Sequence, residues 1–163
     1  MGLDWHTFAY LSSEDWENGR EPMPEVMATV FMPKGSMYYR GKHAVAILRT
    51  FLGEDATKFC FGEEHNDNYF LTEGDIGILI TYFNKIKEIL DPYDPTDTIG
   101  EIHDEEFKAK EDDWNCLDDN DEVEEIAGDV SDILQYLQAA KKGYNGDIKI
   151  NGKSLYTRVW AWW

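Results

Sequence analysis

Two stretches of the chain repeat apolar residues at alternating spacings of three and four, and no other feature restricts its fold so strongly. The first runs Ile76, Leu79, Phe83, Ile86, Leu90; the second runs Val123, Ile126, Val130, Ile133, Leu137, Ala140. Steps of three and four return to one side of an α-helix, so each stretch predicts an amphipathic helix buried along one face. Thr72 with Asp75 three residues later has the form of a capping box at the start of the first helix. Asp91-Pro92 ends that helix, because a residue preceding proline disfavours the helical region. The second helix is expected over about Glu122 to Lys142, with acids at its start, Lys141 and Lys142 at its end, and Gly143 as its cap.

The remaining elements are shorter. In Leu3–Leu11, Trp5, Thr7 and Ala9 alternate with His6, Phe8 and Tyr10, a pattern for a strand covered on both faces. Residues 12–24 are polar, contain Gly19, Pro22 and Pro24, and read as a loop. Val26–Met32 reads as a short strand or irregular packing segment, followed by a turn at Pro33-Lys34-Gly35-Ser36. Gly41–Leu52 carries Val45, Leu48 and Leu52 on one stripe and predicts a third helix stopped by Gly53. Phe59-Cys60-Phe61 is a short apolar segment leading into the polar loop 62–68. Near the end, Asn151-Gly152 lies between Asp147–Ile150 and Lys153–Trp160, a strong signal for a type I′ hairpin. With 163 residues there is material for one sizeable core. The expected architecture is one α+β domain spanning 1–163, about three amphipathic helices on a small, mainly antiparallel sheet, with an acidic connector at 101–121.

Charge sets the functional limits. The formal net charge is −18, but it is unevenly placed: residues 101–125 hold 13 acids and 2 bases, whereas 126–163 hold 3 acids and 5 bases. Such a chain lacks the clustered cations needed to neutralise phosphates or anionic lipid, so direct nucleic-acid and membrane binding are not expected. The start Met1-Gly2-Leu3-Asp4 is unlike a signal peptide, and no apolar run is long enough to span a bilayer. With two cysteines, Cys60 and Cys116, the expectation is a cytoplasmic protein with reduced thiols.

The opening Met1-Gly2-Leu3-Asp4, the series Tyr39-Arg40-Gly41-Lys42-His43-Ala44, Cys60, Tyr69-Phe70-Leu71-Thr72 with its helix, and the later Asp129–Leu137 resemble, in this order, a family of small uncharacterised bacteriophage and prophage proteins. Those chains open Met-Gly-Leu-Asp-Met-Tyr-Leu; Trp5-His6-Thr7 departs from that opening, and the acidic run and tryptophan-rich tail lie outside the likeness. The resemblance implies a phage context, hence a protein in the host cytoplasm acting on host machinery. It implies no particular activity.

Motifs of catalysis and metal binding are scarce. Cys60, His65 and Asp67 share one loop and His103 and Asp104 another, without the spacing of a zinc site. Asp118-x-Asn120-x-Glu122 begins like a calcium loop, but Val123 stands at the glycine position and Asp129 where the final glutamate belongs. Glu122, Glu125, Asp129 and Asp132 recur at three, four and three, so one helix face offers carboxylates to magnesium in the manner of a nucleotide pyrophosphohydrolase; the Glu-x-x-Asp spacing and the second acidic helix of that pattern are missing. Neither a nucleophile elbow nor a phosphate-cradling glycine loop is present.

The reading favoured by the residues is therefore a non-enzymatic binder without a cofactor. Asp104, Glu105, Glu106, Asp112, Asp113, Asp118, Asp119 and Asp121 supply charge, and Phe107 and Trp114 apolar anchors, to a basic host protein, as an inhibitor or anti-defence protein of which a nucleic-acid mimic is one form. The magnesium-dependent enzyme is the alternative. Tyr156, Arg158, Trp160, Trp162 and Trp163 form a possible second interface, for a partner or a second copy, or a terminal strand laid on the sheet with Trp160 and Trp162 on one face.

Overall fold

The computed structural model describes residues 3–62, 69–102 and 117–162. Its chain order begins with strand β1 (Asp4–Tyr10), short helices α1 (Ser13–Glu17) and α2 (Glu25–Phe31), and strand β2 (Tyr38–Tyr39). Helix α3 (Gly41–Leu52), a 3-10 helix (Glu54–Cys60), α4 (Glu73–Leu90), α5 (Ile99–Ile102), α6 (Val123–Tyr144), β3 (Ile148–Ile150) and β4 (Lys153–Trp162) follow. The strands form one antiparallel sheet in the order β2-β1-β4-β3, giving the α+β architecture expected from the sequence. The two ends of the chain meet at its centre: β1 and β4 pair from Asp4↔Trp162 to Tyr10↔Tyr156.

Both long helices form where their periodicity puts them. Thr72 and Asp75 exchange the two hydrogen bonds of a capping box, at 3.0 and 2.8 Å, and Ile76, Leu79, Phe83, Ile86 and Leu90 are all buried. Helix α6 buries more than its expected stripe. Tyr136, Ala139 and Gly143 form a second buried line at three and four, because α6 meets α4 on one side and the sheet on the other. On the sheet side Tyr136 stacks on Trp5, at 5.8 Å between centroids, and shares a 2.8 Å hydrogen bond with Thr7. Trp5 is fully buried and donates its indole N–H to the Cys60 carbonyl at 2.9 Å, which ties β1 to the 3-10 helix.

Four local expectations are corrected. Residues 25–31 form a helix rather than a strand or an irregular packing segment: the N–H groups of Met27 and Ala28 bond to the Pro24 carbonyl, and the four-residue step from Ala28 to Met32 brings both onto Ala9 and Leu155 of the sheet. The loop 12–24 contains α1, started by Ser12, whose hydroxyl accepts the Asp15 N–H at 3.2 Å. Phe59-Cys60-Phe61 is the end of a 3-10 helix rather than a lone apolar segment. Gly143 lies inside α6, which runs two residues further than expected, to Tyr144, with Asn145 as its C-cap. The hairpin agrees with the sequence, with positive φ at both Asn151 (49°) and Gly152 (81°) as a type I′ turn requires. Among the described residues no helix is long and apolar enough to cross a membrane.

Candidate functional site

Of the proposed acidic contact residues, Asp104, Glu105, Glu106, Phe107, Asp112, Asp113 and Trp114 lie outside the described residues, as do His65, Asp67, His103, Cys116 and Trp163. Asp118, Asp119 and Asp121 are described, and they sit against α5. Three turns here are built alike. A carboxylate accepts the backbone N–H three residues earlier in Asp97 to Asp94 (3.0 Å), Glu101 to Thr98 (2.9 Å) and Asp121 to Asp118 (3.1 Å). Asp118 also accepts the Asn120 N–H at 2.9 Å. The acids therefore close their own turns, the local role for which short carboxylate side chains are suited.

Backbone bonds then join these turns into a platform. Ile99 N–H bonds Asp121 O (2.8 Å), Gly100 N–H bonds Asp119 O (2.9 Å), and Val123 N–H bonds Asp97 O (2.8 Å). Leu117 N–H bonds the Thr50 hydroxyl at 3.0 Å, which anchors the platform to α3. The ion pairs formed between described residues, Arg20–Asp15 and Arg49–Glu54, lie elsewhere. Asp94, Glu101, Asp118, Asp119 and Glu122 are exposed, and the carboxylates of Asp97, Glu101, Asp118 and Asp121 meet backbone N–H dipoles rather than cations among the described residues.

The alternative magnesium ligands do not gather. Glu122 caps α6, Glu125 and Asp132 are exposed, and Asp129 is half-buried. Partial burial raises the pKa of Asp129; His43 opposes this, and Asp132 and Asp121 add to it. Asp132 instead borders a hollow of about 650 Å³ beside Lys34, Lys142, Gln135 and Gln138, with Tyr136 among its walls. Among the described residues no group of three or more His, Cys, Asp or Glu side chains is placed to hold a metal ion. Cys60 is a free, fully buried thiol, and desolvation, with a contribution from Asp75, pushes its pKa far up. A thiol held protonated in this way is a poor nucleophile and a poor metal ligand.

The aromatic tail behaves differently: the sheet gathers it. Leu155, Thr157, Val159 and Ala161 of β4 face the helices, so Tyr156, Arg158, Trp160 and Trp162 fall on the other side. There they meet the second set of β1, with His6 opposite Trp160, Phe8 opposite Arg158 and Tyr10 opposite Tyr156. Residues 69–71 lie along the free edge of β4, with Leu71 N–H bonded to Val159 O at 2.9 Å and Ala161 N–H to Tyr69 O at 2.8 Å. Tyr144 secures this edge, donating its hydroxyl to Leu71 O and accepting the Val159 N–H.

A groove of about 770 Å³ results, walled by His6, Phe8, Tyr69, Phe70, Trp160 and Trp162 and bordered by Pro22. Phe70 meets Trp160 edge-to-face at 4.6 Å, and Tyr69 meets it at 6.2 Å. Tyr69 has φ of +58°, a left-handed backbone that costs a non-glycine residue about 1–2 kcal/mol. Arg158 lies outside the groove, its guanidinium 5.4 Å from the Trp16 ring and 4.6 Å from that of Tyr144. Thus the tail residues divide: Trp160 and Trp162 line the groove, while Tyr156 and Arg158 pack elsewhere on the same face.

Sequence reasoning missed the contributions of His6, Phe8, Tyr69 and Phe70. A usable signal was present, since His6, Phe8 and Tyr10 near the start and Trp160 and Trp162 near the end are spaced by two. It also missed the exposed apolar stripe of α2, where Val26 is 84% and Val30 76% accessible beside Met27 and Phe31. Comparison with protein-family models, curated proteins and solved structures yields no match to this chain.

Proposed function

We propose that this protein is a non-catalytic binder that uses its acidic platform to engage a basic protein, acting as an inhibitor or competitor at a site that otherwise holds nucleic acid. The observation that carries this reading is the cross-linked platform of residues 94–101 and 117–122. The carboxylates of Asp97, Glu101, Asp118 and Asp121 are held by backbone hydrogen bonds, and the platform acids keep their charge uncompensated by described ion pairs. Fixed carboxylates facing water attract cationic surfaces over a Debye length, about 10 Å at 0.1 M salt. Because the turns are already ordered, little conformational entropy is lost on binding. Dense carboxylates on a rigid support then compete with a phosphate row for the same Lys and Arg side chains. The resemblance to phage proteins favours a bacterial host protein as the target.

The test compares the protein with a quadruple variant, Asp118→Asn, Asp119→Asn, Asp121→Asn and Glu122→Gln, as baits for a bacterial lysate at low salt. The replacements at Asp118 and Asp121 keep the acceptor oxygen for their turns, and those at Asp119 and Glu122 remove charge alone. The expected result is capture of basic nucleic-acid-binding proteins that elute with rising salt, are displaced by duplex DNA, and are lost from the variant. Equal capture by a variant with an unchanged circular dichroism spectrum would reject the reading.

A further inference from the structure

The aromatic groove on the outer face of the sheet lies apart from the acidic platform, and its chemistry points to a particular occupant. We propose that it seats an arginine side chain of the basic partner, between Trp160, Trp162 and Tyr69. The inference rests on the reading above only for the source of the arginine; the groove's preference is independent of it.

Three observations carry the choice. First, Tyr69 and Phe70 stand nearly perpendicular to Trp160, at 81° and 80°, so a group entering the groove meets ring surfaces from more than one direction. The negative faces of such rings attract cations, and a planar, weakly hydrated guanidinium stacks on them better than an ammonium. Second, the charge around the groove suits a cation. Among the described residues no Lys or Arg lines it, Asp4 stands opposite Trp162 in the strand register at its end with its carboxylate accepting the Tyr38 hydroxyl, and the chain carries −18 overall. The same charge disfavours a second copy as the occupant, because two strongly acidic molecules repel. Third, at the nearby edge of the same sheet one guanidinium is already held in this way, with Arg158 over Trp16 and Tyr144.

The groove is also open to a partner. Trp162 is 66% and Tyr69 41% accessible, a large exposure for such residues. The left-handed backbone of Tyr69 is a local cost retained where its ring completes the wall.

The experiment uses the whole protein and three capped hexapeptides, identical except that two central positions are arginine, lysine or norleucine. Binding is followed through the indole N–H signals of Trp160 and Trp162 in two-dimensional NMR. The proposal expects the arginine peptide to move both signals, and the lysine peptide to bind about fivefold more weakly. Trp162→Leu, at an exposed position that leaves the fold intact, should weaken the arginine peptide about fivefold, and Trp162→Phe should restore part of the loss. The quadruple platform variant should retain peptide binding at the groove even where it loses capture from a lysate, which separates failure of the platform reading from failure of this one. Equal or tighter binding of the norleucine peptide would overturn the proposal in favour of an apolar ligand. Concentration-dependent Trp162 shifts without peptide would overturn it in favour of self-association. Arginine-peptide shifts confined to the platform, or absent altogether, would overturn it as well.

Discussion

Gly143 of α6 lies so close to Thr157 of β4 that a Cβ built on the glycine would stand 1.8 Å from the Thr157 hydroxyl and 2.7 Å from its Cβ. This is where α6 settles on the sheet, and it explains a glycine inside a helix, where it costs about 1 kcal/mol relative to alanine. Gly143→Ala should therefore destabilise the fold despite its better helix propensity. Overpacking of this kind costs about 1–3 kcal/mol, read as a lower urea midpoint. Thr157→Ala should fail to rescue it, because the Thr157 Cβ is itself too near; Thr157→Gly should rescue it in part. A neutral or stabilising Gly143→Ala would mean that α6 is not seated in this way.

The capping box gives a second prediction. Thr72→Ala removes the acceptor for the Asp75 N–H and should cost about 1 kcal/mol of unfolding free energy. Thr72→Ser should be nearly silent, since it keeps the oxygen. Asp75→Ala should cost more than Thr72→Ala, because Asp75 is 1% accessible and its loss leaves the Thr72 N–H without its 2.8 Å acceptor. Equal midpoints for all three variants would contradict the box.

Buried phenols make the protein sensitive to alkali. Desolvation pushes the pKa values of Tyr136 and Tyr144 far above the ordinary value of 10.0. The folded state thus retains protons that the unfolded chain loses. Their contribution is fully present below pH 10 and is lost as pH rises toward the folded values, by about 1.4 kcal/mol per unit for each phenol. Desolvation raises the pKa of the less buried Tyr39 as well, so of the nine tyrosines these three should ionise last, with Tyr136 and Tyr144 doing so only on unfolding, seen as late steps in absorbance at 295 nm that coincide with loss of circular dichroism. Early titration of every tyrosine in folded protein would contradict this burial.

The platform acids should divide by what each oxygen does. Asp119→Asn removes charge from a crowded patch and breaks no side-chain hydrogen bond described there, so it should raise the melting temperature at low salt. The gain should fade as salt rises. Asp121→Ala removes the acceptor of the Asp118 N–H and should lower the melting temperature at any salt. The same sign for both variants would show that the acids act only as a diffuse charge.

Much of this fold was legible in the chain because the deciding interactions are local. A capping box, a 3-4-3-4 stripe and an Asn-Gly turn involve residues within a few positions of one another, and the sequence displays their spacing directly. Val26–Met32 shows the limit. Its β-branched residues favour a strand, yet the segment after Pro24 is a helix, whose Ala28 and following Met32 pack together onto Ala9 and Leu155.

The candidate surfaces divide in the same way. The sequence by itself determined that most of the excess negative charge falls in one run, and that aromatics spaced by two stand near both ends. Tertiary structure decided which of these became a surface. Pairing His6 with Trp160 joins residues from opposite ends of the chain, and residues 69–71 close the groove by occupying the open edge of β4. No periodicity encodes such pairing. It follows from burying Trp5 and Thr7 under α6 and Ala9 under α2, which turns their neighbours outward together.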